Sequence, residues 1–570
     1  MIALRTGLIA AVAVMVAGAA QAQSNTTNTS GATTQLNAGG ASLPAPTYRS
    51  LFNCFGLPTD GTTTLPTGCA ARVRTDVSIN YGSVGSGGGQ RAFYTDSRYQ
   101  LTNSAAAGSQ PAGTMAIAAS DAALTAAQIA VYNATATTAA GASPLASGQT
   151  IVAPGVTPSG ATQFANPLAS YGPMIQLPAM GSAVAIGYNP VYKQIRNARN
   201  GNVVNYSFNV QNRGVGGGLR LDAATYCAIF SGEITNWNDS RITALNVNPA
   251  TGVAVSLRAA NDPVAEADWS LPIKVVVRDE TSGTTALFTR HLRAACAQFQ
   301  TATVLLNTTK SNLSAGFSQG FPGIDTGITV AGSTAGNCAA TGAVNTIFGG
   351  TWMRGRGSEG VAKCIGGNGT RLVSDATRKF TETVTNGAIG YLSTDYVMPF
   401  VTAANPTYAQ YGVNTAFLQN AAGNWIAPTP SSTQLALGAL LPPVTSTDKA
   451  DPSKWVANPS GAVAGTAGLI PASITGGYPI VGTTNFMVYT CYANDAARKA
   501  LVNAASNSTE GFLNWFYRSP ASVAAIIKAG GFSAVPAATR QAITSTFLAG
   551  TTSPLRVRTG PVSGLCSAGA

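Results

Sequence analysis

The feature that most restricts the fold is a unit that recurs along the chain: a short β-rich run, a loop of Gly, Ser, Thr or Asp, and then a helical pattern. The first spans Leu36 to Phe52, around Gly39-Gly40-Ala41-Ser42-Leu43-Pro44. The second spans Val77 to Asp96, around the glycine-rich loop 82–89. In the third, Met115 to Tyr132, the run Met115-Ala116-Ile117-Ala118 leads into Ser120-Asp121 and a helical pattern from Leu124. In the fourth, Ile273-Lys274-Val275-Val276-Val277 reads as a buried strand, Arg278 to Thr285 as a loop and Ala286 to Ala295 as a helix. Strand, polar loop, helix is the building unit of an α/β sheet, and such sheets bind ligands beyond the carboxyl ends of their strands. A chain of 570 residues exceeds one core, so two or more lobes are expected.

The stretches at about 134–168, 300–350 and 400–480 are rich in Ala, Gly, Thr and Ser and read as loop insertions on a smaller core. Trp352, Trp425 and Trp455 suggest that they are partly packed. The C-terminal part is regular again, with helical patterns at Gly511–Tyr517, Ser522–Ala529 and Pro536–Leu548. At the other end, Arg5, the apolar run Leu8–Ala20 and the small-residue motif Ala20-Gln21-Ala22 read as a signal peptide over 1–22. No cysteine stands directly after the cleavage point, which argues against a lipid anchor there. Residues 23–36 are polar and read as a disordered leader. No later apolar run is long enough to span a membrane, so the expected protein is not membrane-embedded and is periplasmic or extracellular.

The cysteines agree with export. Cys54, Cys69, Cys227, Cys296, Cys338, Cys364, Cys491 and Cys566 all follow the cleavage point, and an even count in an exported protein reads as disulfides. Spacing does not fix their pairing. A metal site would need C-x-x-C clusters or neighbouring histidines; the sequence has neither, and no cofactor is implied. The formal charge is +12 with only 9% charged residues. Lys and Arg are dispersed rather than clustered with aromatics, which argues against nucleic acid and leaves a small anion compatible.

The loops carry the chemistry of anion binding. Backbone N–H groups at helix N-termini point at an anion, the helix dipole favours negative charge, and Ser and Thr hydroxyls add donors. One such loop by itself is more often a plain helix cap; several in one chain, with charged partners, point to a site. Arg278, directly after a buried strand, can clamp an oxyanion bidentately, or it can be a surface arginine paired with Asp279 or Glu280. Asp121 is the more informative residue. A carboxylate beside an anion is repulsive unless the anion carries a proton, as hydrogen phosphate does and sulfate near neutral pH does not. Its alternative role is to cap the helix starting near Leu124.

These loops resemble those of the phosphate-binding proteins of bacterial phosphate-specific ABC transport, especially the secreted DING subgroup. Gly39 to Pro46 is similar to the family's G-G-A-[ST]-L-P signature, Val84-Gly85-Ser86-Gly87 to its second loop and Ala119-Ser120-Asp121 to its third. Arg278 to Thr285 resembles its R-x-x-x-S-G-T-[ST] loop. Phe230 to Trp237 and Gly387 to Tyr391 resemble two structural segments of the family. The resemblance implies an α/β, two-lobed periplasmic-binding-protein fold (type II) with long loop insertions. It divides the chain into lobe 1 over 37–185, lobe 2 over 186–390 and a return to lobe 1 over 391–570. It implies phosphate contacts at Ser42, Leu43, Ser86, Gly87, Asp121, Arg278, Ser282, Gly283 and Thr284. It also implies the pairings Cys227–Cys296 and Cys491–Cys566, with Cys54–Cys69 and Cys338–Cys364 for the remaining four. Ser42 stands where the signature usually has Thr, and the chain is much longer than typical members.

The expected function is capture of inorganic phosphate by an exported solute-binding protein for uptake through an ABC permease, without catalysis. Two alternatives stay open: a DING-type phosphatase, and an extracellular structural or adhesive protein on the same scaffold. His291 is the only histidine, mid-helix among apolar neighbours, and reads as a packed residue rather than a catalytic one.

Overall fold

The structure is a computed structural model that describes residues 30–101, 114–133, 167–197, 202–210, 218–299, 352–366, 381–397, 411–456, 475–503 and 510–560, apart from 60, 97, 125, 249, 281, 439–440, 494 and 550–552, together with Phe321, Cys338 and Cys566. The expected signal peptide, the first half of the leader and most of the insertions at 134–168 and 300–350 lie outside the described residues.

The first lobe begins with β1 (Thr34–Gly40), α1 (Ala45–Phe55), β2 (Val77–Ser83), α2 (Ser86–Thr95), β3 (Ile117–Ser120) and α3 (Ala126–Tyr132). The long strand β4 (Met174–Tyr188) leads to the second lobe, with α4 (Ala223–Ser231), β5 (Lys274–Arg278), α5 (Gly283–Cys296), β6 (Trp352–Gly355), α6 (Gly357–Gly366) and β7 (Ala388–Ser393). The chain comes back through β8 (Val481–Tyr489) to α7 (Phe512–Arg518), α8 (Ala521–Ala529) and the short β9 (Ser533–Ala534). Thr34–Leu36, read above as the end of the leader, already belong to β1, because Leu36 is buried and Thr34 pairs with Val77.

One sheet runs through both lobes in the order β2-β1-β3-β8-β4-β7-β5-β6. β1 pairs parallel with β2 and β3, and β5 pairs parallel with β7 and β6. Between these parallel halves, β8 is antiparallel to β3 and β4, and β7 is antiparallel to β4. The cores divide along β4. Met174, Ile175, Leu177 and Met180 pack in the first, while Ala183, Val184, Ile186 and Tyr188 pack in the second. β8 crosses the same line in reverse, from Val481 in the second core to Phe486 in the first.

Helix α1 shows how sequence sets the packing. Ala45, Tyr48, Leu51, Phe52 and Phe55 recur at helical spacing and are all buried. Within the segment from residue 391, the stretch at about 400–480, read as an insertion, packs against more than one core. Tyr411 and Val413 join a third small core with Val276 and Val361, and Leu418 and Leu437 join the second. Trp455 packs in the first against Phe547, and Tyr478 is back in the second. Aliphatics spread thinly through a Gly/Thr/Ser background are enough to fold part of what reads as an insertion.

The disulfides are Cys54–Cys69, Cys227–Cys296, Cys338–Cys364 and Cys491–Cys566, the pairings that the resemblance implies. Cys227–Cys296 ties α4 to the end of α5. His291 lies buried within α5, its Nε2 2.8 Å from the Tyr226 hydroxyl. No helix among the described residues is long and apolar enough to cross a membrane.

Candidate functional site

In the first lobe the loops sit side by side at the carboxyl ends of β1, β2 and β3. Ala41 N–H donates to Ala119 O at 2.8 Å, and Val84 N–H donates to Gly40 O at 3.0 Å. Gly40 has φ +128, and a Cβ there would lie 2.1 Å from Ala119 O, so only glycine permits the approach. Ser42 and Leu43 follow on the turn into α1, both buried. Ser86 and Gly87 open α2, where the first backbone N–H groups have no partner within the helix. The Ser86 hydroxyl accepts from Asp121 N–H at 3.0 Å and so ties the second loop to the third.

Asp121 directly follows β3 and is 1% exposed. Thr484 lies beside it, next to the paired Asn485 and Ser120, and Oδ1 is buried with no partner. The side chain therefore does not cap α3, which starts at Ala126. Burial pushes the carboxyl up to about 7, against the Thr484 hydrogen bond and the Arg278 charge, which both pull it down.

The second lobe contributes Arg278 and the start of α5. Arg278 is 4% exposed, so it is not a surface residue, although it does pair with Glu280. Glu280 also accepts from Gly357 N–H at 3.1 Å. The guanidinium further donates to Thr284 Oγ1 at 2.9 Å and, across the lobes, to Ser42 Oγ at 2.6 Å. Its Nε is buried without a partner. Ser282 caps α5, its hydroxyl accepting from Thr285 N–H at 3.2 Å. Gly283 is pressed against the other lobe: a Cβ there would lie 2.2 Å from Ser86 Oγ and 2.6 Å from both Ala122 N and Asp121 Cβ.

The loops that carry Ser42, Leu43, Ser86, Gly87, Asp121, Arg278, Ser282, Gly283 and Thr284 thus meet at one interlobe point. Glu280 entered the sequence reading only as an alternative ion-pair partner. Thr484 was missed altogether; it lies in a Gly/Thr/Asn run with no motif, and only the pairing of β8 brings it to Asp121. Chemically the site offers cationic and N–H donors for an oxyanion and one acceptor, Asp121 Oδ1, for a hydroxyl on it.

Two lobes joined through a shared pair of antiparallel strands, with anion-type loops facing each other between them, define the periplasmic-binding-protein fold, type II. The chain belongs to the PBP superfamily, whose domain model matches residues 25–520. It is 26% identical over 527 residues to "Alkaline phosphatase L" of Pseudomonas aeruginosa, covering 92% of this chain and 90% of that one. It is 26% identical over 388 residues to a "Phosphate-binding protein" from an unknown prokaryotic organism, covering 68% and 76%. Among solved structures it resembles a high-affinity periplasmic phosphate-binding protein, PfluDING, bound with phosphate. That likeness has a TM-score of 0.51 and 22% identity over 92% of this chain and 96% of that one, and it shows the fold.

Proposed function

We propose that the protein is an exported solute-binding protein that captures inorganic phosphate between its lobes for uptake, delivering it to an ABC permease. The observation that carries this is a complementary pair of buried polar atoms without partners, an acceptor at Asp121 Oδ1 and a donor at Arg278 Nε. A ligand that both accepts and donates satisfies both, as a protonated oxyanion does. Sulfate would satisfy the donor and oppose the acceptor, leaving a buried charge unpaired. Ser42, Leu43, Ser86, Gly87, Ser282, Gly283 and Thr284 supply the remaining N–H and hydroxyl donors in this reading. The lobes must part to admit the ligand, since Arg278 already touches Ser42 across them. Likeness to a periplasmic phosphate-binding protein supports cleavage of the signal peptide after Ala22.

Isothermal titration tests it. Phosphate should bind with an enthalpy that sulfate at the same concentration does not produce; equal affinity for the two anions overturns the assignment. Asp121→Asn should cut the phosphate-over-sulfate preference by about tenfold or more, the scale of one hydrogen bond to a charged group.

The likeness to "Alkaline phosphatase L" favours a second reading, ester hydrolysis at the same site. Ser282 Oγ is engaged as a helix cap and Ser42 Oγ accepts from Arg278, so neither hydroxyl is paired with a general base in these contacts. Purified protein is expected to release no phosphate from an aryl phosphate, with or without divalent metals; turnover would install the second reading.

A further inference from the structure

Beside Asp121 lies a hydrogen-bonded pair, Tyr48 and Thr484, that no ligand contact explains. Asn485 of β8 pairs with Ser120 of β3, which brings the preceding Thr484 beside Asp121. The register of β8 against β4 shifts between Thr484 and Asn485. The local backbone is pinned, because Asn485 Nδ2 donates to Ser120 O at 3.1 Å and to Thr483 O at 3.2 Å. Thr484 is fully buried, and its hydroxyl lies 2.8 Å from the hydroxyl of Tyr48, also fully buried on α1.

Proton counting gives these contacts a direction. Thr484 has one hydroxyl proton. An ionised Asp121 only accepts, so a Thr484 hydroxyl that bonds it gives that proton to Asp121. Tyr48 must then donate to Thr484, and the chain runs Tyr48 to Thr484 to Asp121. That arrangement satisfies one carboxylate oxygen and leaves Oδ1, buried without a partner, as the free acceptor.

We propose that Thr484 is a positioning residue for ligand selection: oriented by Tyr48, it holds the Asp121 carboxylate with Oδ1 presented as an acceptor, so that the site requires an oxyanion bearing a proton. The proposal rests on the phosphate reading above. Without the Thr484 hydroxyl, only the Arg278 charge opposes the effect of burial on Asp121. The carboxyl then takes up a proton at higher pH and turns from acceptor to donor, and a donor at that place accepts sulfate. The charged and titratable groups around Asp121 are Tyr48 from α1, Tyr81 from β2, Arg278 from the end of β5, and Arg290 from α5, which lines the same interlobe crevice. Thr484, on β8, is the hydroxyl among these groups that pulls the carboxyl down.

The test is the pH profile of sulfate competition against phosphate in the full chain, read by titration from pH 5 to 9. In the wild type, sulfate competes better as pH falls through the Asp121 titration. Thr484→Val, nearly isosteric, should move that profile to higher pH and strengthen sulfate relative to phosphate by about tenfold at pH 8. Thr484→Ser restores the hydroxyl and should return the profile to the wild-type position. Tyr48→Phe removes the donor that orients Thr484 and should shift the profile in the same direction by less. Unchanged profiles in Thr484→Val and Tyr48→Phe, with wild-type phosphate binding intact, overturn the proposal. Failure of Thr484→Ser to restore the profile also overturns it, since packing would then be the cause. Failure of the wild type to bind phosphate overturns the reading on which it rests.

Discussion

Buried carboxylates are costly unless paired or protonated, and this chain holds more than one. Asp395, just past β7, is 3% exposed, and neither carboxylate oxygen has a hydrogen-bond partner. Burial pushes its carboxyl up to about 7, with Ser393 pulling weakly the other way. A carboxyl whose native value lies above its unfolded value favours the protonated native state. Its contribution is therefore complete below the ordinary carboxylate range and is lost as pH rises through about 7. Asp395→Asn should remove that dependence. The variant is expected to be more stable than wild type at pH 8 by at most about 4 kcal/mol, at about 1.4 kcal/mol per pKa unit, and equal to it near pH 4. Urea unfolding across that range checks this, and an unaltered pH slope would refute it.

Helix α5 meets the first lobe end-on, and Gly283 is where it touches. Its φ is not in the left-handed region, so alanine there carries no strain in backbone conformation and is a better helix former than glycine. What alanine disturbs is the contact with Ser86 Oγ and Ala122 N. Gly283→Ala is expected to leave the thermal midpoint of the ligand-free protein equal or higher while weakening phosphate binding at least tenfold. Loss of both together would mean that the helix itself is damaged. The helix was legible in the sequence because the Val275-Val276-Val277 run, the Ser282 cap and the Leu287/Phe288/Leu292 face are all local signals. The strand before α3 was legible as well, but two residues early, since alanines carry little strand preference: it was read to end at Ala118 and runs to Ser120. The partners of β8 were not legible. Its place between β3 and β4 is a long-range pairing, and nothing in Val481–Tyr489 names either strand. Thr484 shares that fate, because it matters through a neighbour that the sequence does not encode nearby, whereas the pairing of Glu280 with Arg278 two residues away was open to the sequence. The four site loops could be read because each is a short stretch with its own turn and cap chemistry.

The two lobes share one sheet, and that constrains how they can move. β4 and β8 stay hydrogen-bonded from the first core to the second, so sliding would break a run of backbone pairs, whereas bending would not. The register shift at Thr484/Asn485 lies where β8 passes between the cores, which makes it the natural place to bend. Closure has a cost in the free protein. Asp121 Oδ1 and Arg278 Nε are then buried without partners, at about 1–3 kcal/mol each, and Arg278 and Glu280 are withdrawn from water as a pair. The ligand-free protein in solution should therefore favour an open arrangement, and phosphate should close it by filling both atoms. Small-angle scattering is expected to show a smaller radius of gyration with phosphate than without. The same titration should raise stability by RT ln(1 + [L]/Kd), about 2.7 kcal/mol at a hundredfold excess over Kd. Stabilisation without compaction would mean that the closed form already dominates in the absence of ligand, and that the two atoms without partners cost less than their burial implies. Sulfate, unable to donate to Asp121, should produce neither change.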